Sequence, residues 1–347
     1  MDPISQGAIG ATVAQAVFGR QLPRSAALIG FAAGMAADLD VFIPSGGDPV
    51  ASMIYHRHFT HSLIFIPVGG LLTSLLFVWW RQFKGYRREV IGAATVAYAT
   101  HGLLDAFTNY GTLLFWPFSS QRVAWDLLGI VDPMVTVPLL IGMFWAVVAK
   151  QPRAARVALL VFAAYVCFGG WQHYRAANAQ SALANARGHV IEHSRVMPAP
   201  GALIMWRSVY TSGGELHVDG VRVPYFGETL VRNGGSARLA ILEHLPEELR
   251  NDPDKARAFS VFSWFADGLV TPIAEKPNIF GDQRFSADFS SLTPLWGMDF
   301  STSSPKRWRP ETERSDFVVR IWRSMIFGEP GYRPITEALS APNQGIQ

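Results

Sequence analysis

Residues 154–171 read AARVALLVFAAYVCFGGW, eighteen positions with a single charge, Arg156, near the start and a tryptophan at the end. A bilayer core is crossed by about 20 apolar helical residues, so this stretch reads as a membrane span closed by an interfacial aromatic. Its position divides the chain. Residues 1–175 carry 12 Lys/Arg and 8 Asp/Glu, whereas 176–347 carry 18 and 19. Four further apolar stretches precede it, at 25–43, 62–80, 89–107 and 131–149. The shorter stretch 4–18 reads as a brief span, a re-entrant piece or an interfacial helix. The expected fold is therefore a multi-pass α-helical membrane domain, residues 1–175, with five spans and a short N-terminal helix. A smaller soluble α+β domain follows over 176–347.

Composition agrees with that division. Of 347 residues 49% are hydrophobic and only 16% charged, against about 25% charged in ordinary globular chains. A disordered chain, a coiled coil and an ordinary hydrated globular enzyme are excluded. The one cysteine, Cys167, leaves no internal disulfide framework and no Cys-rich zinc finger. A net charge of +3 makes no case for nucleic acid. Asp2 stands where a signal peptide would carry a basic leader, and no phosphate loop, dinucleotide fingerprint or nucleophile elbow occurs.

Loop charge sets the expected orientation. Arg20, Arg24, Arg81, Lys84, Arg87, Arg88, Lys150, Arg153 and Arg156 fall on one side of the spans, and only Arg57 and Arg122 on the other. The positive-inside rule puts the nine in the cytoplasm. The protein is expected in a bacterial inner membrane, multi-pass, with its C-terminal domain periplasmic. Past residue 176 an Ala-rich segment to 187 reads as a helical stalk. Strand-like alternation follows at 202–210, 215–223 and 236–242, broken by Gly213-Gly214 and Gly234-Gly235, and a helix is expected at 316–327.

Ionisable groups beside membrane helices are costly and mark function by default. Here Asp38, Asp40, Asp48, Asp105, Asp126 and Asp132, with His56, His58, His61 and His101, all map to the outward side. Imidazole and carboxylate together are divalent-metal ligands. His101 and Asp105 are four residues apart and share one helical face. Each group also has a plainer reading. Asp38 can end a span near the headgroups, His101 and Asp105 can form a structural hydrogen bond, His58 can be a bystander, and Arg57 can snorkel to phosphates. Thr60 or Ser62 is placed to cap the helix that follows, and Asp126 and Asp132 are either outer carboxylates or, for Asp132, a helix cap. A metal centre accounts for the set as a whole.

Several motifs resemble one family. They are Asp2-Pro3-Ile4-Ser5-Gln6-Gly7-Ala8, Ala37-Asp38-Leu39-Asp40, His56-Arg57-x-x-Thr60-His61-Ser62, and His101-Gly102-Leu103-Leu104-Asp105 followed by Thr108-x-Tyr110-Gly111-Thr112. In this order they resemble the YdjM-type bacterial inner-membrane proteins, described as membrane-bound metal-dependent hydrolases, over roughly residues 1–170. Trp264-Phe265-Ala266-Asp267-Gly268 and Pro294-Leu295-Trp296-Gly297 resemble the tail of the longer members. The resemblance, with its distant likeness to zinc-dependent phospholipase C, implies metal ligands at Asp38 or Asp40, His56, His61, His101 and Asp105. Two departures stand out: Ser5-Gln6 where many members have Thr-His, and Ala37-Asp38 where Pro-Asp is familiar.

The expected function is hydrolysis assisted by a divalent metal, Zn²⁺ in one or two copies. The expected substrate is a membrane lipid carrying a phosphoester at the outer face. Arg57 would neutralise transition-state charge, and the unliganded aspartate of the pair, taken as Asp40, or else Asp105, would act as base. The rival is a non-catalytic metal site, structural or in transport, with a soluble domain that binds an unidentified partner. A polar cluster without metal ranks third.

Overall fold

The computed structural model describes residues 1–44, 46–201, 203–310 and 330–340. The helix expected at 316–327 lies outside the described residues. The chain forms two compact units, one of Met1–Pro44 with Ile54–Gly170 and one of Ser45–Met53 with Trp171–Gln347.

The first unit is helical. Helix α1 (Pro3–Phe18) starts cleanly because the Asp2 side chain accepts from the backbone N–H of Ile4 and Ser5 and Pro3 occupies the first turn. The middle of the stretch 4–18 is packed inside the helical unit, with Ala8, Ala11 and Ala14 wholly buried and Ile4 and Val17 exposed at its two ends. After α2 (Ser25–Met35), the chain passes through the second unit's Ser45–Met53 and the five-residue α3 (Ala51–Tyr55), whose last two residues rejoin the first unit ahead of the histidine-bearing loop. α1 packs against α2, α5 (Arg87–Ala106) and α6 (Pro133–Ala149). The α1–α2 contact is backbone-close, because a methyl on Gly10 would overlap the Gly30 carbonyl oxygen. Small residues allow that approach, as in membrane helix pairs. Ile29, Ala33, Val90, Ala94 and Ala97 extend this core between α2 and α5.

Of the five stretches read as spans, two form helices long and apolar enough to cross a membrane among the described residues, Ser25–Phe42 and Arg153–Ala186. The others differ for local reasons. Residues 62–80 open with a 3-10 turn, Leu63–Phe65, and contain only the nine-residue α4 (Ile66–Ser74). Within α4, Thr73 Oγ1 and Ser74 Oγ donate back to the carbonyls of Gly69 and Leu71, a pairing that weakens helix continuation. Stretch 131–149 begins helical structure only at Pro133, after Asp132, whose carboxylate accepts from Met134 N at 3.0 Å; Asp132 is the cap of α6. Stretch 89–107 is helical in α5, but charges at its start and His101 and Asp105 at its end dilute its apolar run. α7 (Arg153–Ala186) is 34 residues long, with Val157 and Leu160 more than half exposed.

In the second unit a five-stranded antiparallel sheet runs in the order β1 (His193–Pro198), β2 (Met205–Ser212), β3 (Glu215–Arg222), β4 (Leu230–Arg238), β9 (Arg333–Pro334). A second sheet holds β5 (Val270–Ile273), β6 (Lys276–Asp282), β7 (Gly297–Asp299) and β8 (Lys306–Trp308). Gly213 and Gly214, both at positive φ, form the two-residue turn that pairs Ser212 with Glu215. The expected strand 236–242 is displaced. β4 begins at Leu230 and runs through Gly234-Gly235, where the register shifts against His217 and Asp219. The glycines absorb a bulge rather than ending the strand. The Ala-rich segment is helical, as expected, and one of its faces is packed against the sheet. It is the last part of α7, with Ala176, Ala179, Leu183 and Ala184 buried, and Gln180 Nε2 donates to Ser208 Oγ and Val209 O of β2.

Candidate metal centre

Four ligand atoms converge from three chain segments. His101 and Asp105 lie one turn apart on the buried face of α5. Asp38 comes from the 3-10 turn Ala36–Phe42 that continues α2, and His61 from the 3-10 turn Phe59–His61. His61 Nε2 is 3.4 Å from Asp38 Oδ1 and 3.3 Å from Asp105 Oδ2. His101 Nε2 is 3.3 Å from Asp38 Oδ1 and 3.8 Å from Asp105 Oδ2. A tetrahedral ion with bonds of about 2.0–2.2 Å holds its donors about 3.3–3.6 Å apart, so these separations are nearly those of a ligand shell.

Three of these four atoms are orphans. His61 Nε2, His101 Nε2 and Asp105 Oδ2 are buried and form no hydrogen bond, a condition that costs about 1–3 kcal/mol per group. A cation between them would satisfy all three at once. The imidazole and carboxylate donors suit a divalent ion, and the cluster can hold one.

An outer layer fixes the inner one. His101 Nδ1 donates to Gly34 O at 2.6 Å, which leaves Nε2 facing the cluster. His61 Nδ1 sits 3.0 Å from Thr60 Oγ1 and 3.3 Å from Asp40 Oδ2. Asp40 accepts from Arg57 N at 2.9 Å and Thr60 Oγ1 at 2.8 Å, and its other oxygen pairs with His56 Nδ1 at 2.7 Å. Tyr98 OH donates to Thr60 O. Glycine is required at position 102, because a Cβ there would overlap the His61 carbonyl oxygen.

Arg57 has φ of 64°, rare for a residue with a Cβ. That turn lets its N–H reach Asp40 while its Nε lies 3.2 Å from Asp105 Oδ2. The guanidinium faces the Tyr110 ring at 5.5 Å, and its buried Nη1 has no hydrogen-bond partner. Gln6 Nε2, at 2.9 Å, and the Met1 nitrogen both reach Asp105 Oδ1.

Of the residues singled out in the sequence, Asp38, His61, His101 and Asp105 meet in one set. His56 and Asp40 belong, with Asp38, to an adjoining group whose ligand atoms also lie within 4.8 Å of one another. His58 stands in neither group, with its ring against Phe59 and Trp116. Ser62 stands at the N-cap position of the 3-10 turn Leu63–Phe65, but its Oγ donates to Phe59 O instead of capping that turn, and Thr60 serves Asp40. Gly34 and Tyr98 carry no chemical signal in the sequence. Gln6 carries one, since it stands where many of the resembling proteins have histidine, and its side chain lies against the cluster.

A helical unit with exposed apolar helices, a buried His/Asp cluster that could hold a metal ion and a β-sheet unit are the features of a membrane protein. The chain belongs to the YdjM inner membrane protein family, which matches residues 1–176. It is 29% identical over 121 residues to the inner membrane protein YbcI of Escherichia coli (strain K12), covering 34% of this chain and 69% of that protein. No solved structure matches it.

Proposed function

We propose that this protein is a membrane-embedded, metal-dependent hydrolase acting on a lipid-borne phosphoester at the outer face of the inner membrane. The observation that carries the reading is the buried Arg57 guanidinium, with a free Nη1, directly beside four convergent ligand atoms. Asp38, His61, His101 and Asp105 would hold the ion, with Zn²⁺ favoured by the donor set. Such an ion supplies Lewis acidity toward a phosphoryl oxygen and an activated water near neutral pH. Arg57 Nη1 offers a fixed donor to a second phosphoryl oxygen as charge develops. Asp40, with its oxygens engaged, would enter the proton chemistry through His56, whose imidazole its carboxylate orients. His56 is partly exposed, as a proton carrier must be.

The test is turnover by metal-loaded protein on a panel of phospholipids and isoprenoid phosphates. Arg57→Ala should retain the metal and slow turnover by about 10²–10³-fold, the usual cost of losing one transition-state donor. Full activity in that variant would remove Arg57 from the chemistry. The rival reading, a structural or transport site, is favoured by one feature: the four protein donors already complete a tetrahedron, as closed structural sites do. Metal-loaded protein without turnover on the panel would select it.

The five-span topology, the membrane domain over 1–175 and a periplasmic domain over 176–347 are part of the same proposal, and rest on the loop charge asymmetry. A reporter active only in the periplasm, fused after residue 340, should be active. Activity of a cytoplasm-only reporter there would overturn the topology and the side on which the cluster opens.

A further inference from the structure

We infer that the turn between β3 and β4, with Tyr225 and Phe226 at its tip, inserts into the lipid headgroup region and anchors the second unit to the bilayer surface. The inference rests on reading α7 as a membrane span. Phe226 is 93% exposed and Tyr225 50%, a heavy apolar load for a four-residue tip in water. The tip is not loose. Arg175 brackets it, with Nη1 donating to Pro224 O at 2.7 Å and Nη2 to Gly227 O at 2.9 Å. Gln172 Nε2 donates to Val223 O and Leu203 O, both at 3.0 Å, and its Oε1 accepts from Arg175. The same guanidinium lies 4.9 Å over the Trp171 ring.

These clamps fix the tip to one level along α7. Trp171 directly follows the apolar run 154–170, and Trp171, Tyr174 and Arg175 share one helix face. Trp171 and Tyr174 are themselves 48% and 63% exposed. Four exposed aromatic side chains thus lie near the point where the helix passes from apolar to polar sequence. Amphipathic aromatics at that level settle among headgroups, which commits the occupant to lipid. With the carbonyls of Val223, Pro224 and Gly227 engaged by Gln172 and Arg175, the tip carries less unpaired backbone into the headgroups along with its rings, as insertion requires.

The experiment uses the full chain in lipid nanodiscs, with single thiols carrying a polarity-sensitive fluorophore and quenchers borne either by lipid or by water. Three labels are compared: native Cys167, Phe226→Cys and Val190→Cys, the last two on a Cys167→Ser background. Cys167 is exposed on α7 within the apolar run. Val190 is 78% exposed and follows the end of α7, about 22 Å beyond Trp171 along the helix. Cys167 and position 226 should both be quenched by headgroup-proximal lipid quenchers, with position 226 several-fold above position 190. Position 190 should answer to the aqueous quencher. Lipid contact at Cys167 with aqueous behaviour at 226 would overturn the anchor and keep the span. Aqueous behaviour at Cys167 would overturn both. Shielding of 226 from both quenchers would mean a protein contact, such as a second copy, and would also overturn the anchor.

Discussion

His101→Ala should purify with little or no bound metal, its affinity for Zn²⁺ lowered by well over 100-fold. Even outer partners of a ligand cost about 10–100-fold when removed, and His101 supplies an inner donor, Nε2, aimed at Asp38 and Asp105. Elemental analysis and competition with a chelating dye measure the loss. Because His101 is fully buried and its Nδ1 satisfies Gly34 O, alanine also leaves a small cavity and an unpaired carbonyl. His101→Gln is therefore run beside it, since an amide can keep that hydrogen bond while offering a poor ligand. Any hydrolytic turnover should vanish with the metal in both. His58→Ala, in neither group, should bind as the parent does. Binding should weaken as pH falls, because the imidazoles must be neutral to ligate. Unchanged stoichiometry and affinity in His101→Gln would sink the four-residue set.

The helical part of this cluster is legible in the amino-acid sequence and the loop part is not. His101 and Asp105 sit on a regular helix, where a spacing of four by itself defines a face. Residues 56–61 follow no such period. Arg57 in the left-handed region reverses the chain, so His56 turns to Asp40 while His61 turns to Asp105. No spacing rule separates those two histidines. Gly34 is illegible for another reason: its role is a backbone carbonyl, which every residue has.

Hydropathy misleads where lipid and protein offer the same apolar surroundings. In α1 the run Ala8, Ala11, Ala14 with Gly7 and Gly10 reads from hydropathy as a brief span, a re-entrant piece or an interfacial helix, and these residues are buried within the helical unit. Small residues let backbones touch, and closeness, not hydrophobicity, decides their place. The same blindness makes residues 62–80 look continuous, since the back-bonding of Thr73 and Ser74 leaves hydropathy unchanged. In the second unit the sequence locates β2 and β3 well, because the Gly213-Gly214 turn between them is diagnostic. It misses the start of β4, where the glycines that signal a break in fact carry a bulge.

Arg187→Met should destabilise the β1–β4 sheet by about 3–5 kcal/mol, the range for leaving a buried charge unpaired. Arg187, just past the end of α7, holds both oxygens of Asp219 on β3, at 2.7 and 2.8 Å, and also donates to Tyr210 OH and Asn233 Oδ1. Asp219 is wholly buried, and among the described residues Gly234 N, at 3.2 Å, also donates to its carboxylate. Without the guanidinium the carboxylate must either stay charged with that weak contact or take up a proton. Amide exchange over 205–222, followed by mass spectrometry on the full chain, should accelerate by about a hundredfold or more where exchange needs the sheet to open. The double variant Arg187→Met, Asp219→Leu should recover much of the loss, because it removes the stranded charge along with its partner. If Arg187→Met costs less than about 1 kcal/mol, the pair behaves as an exposed salt bridge, and Arg187 does not tie the end of α7 to the sheet.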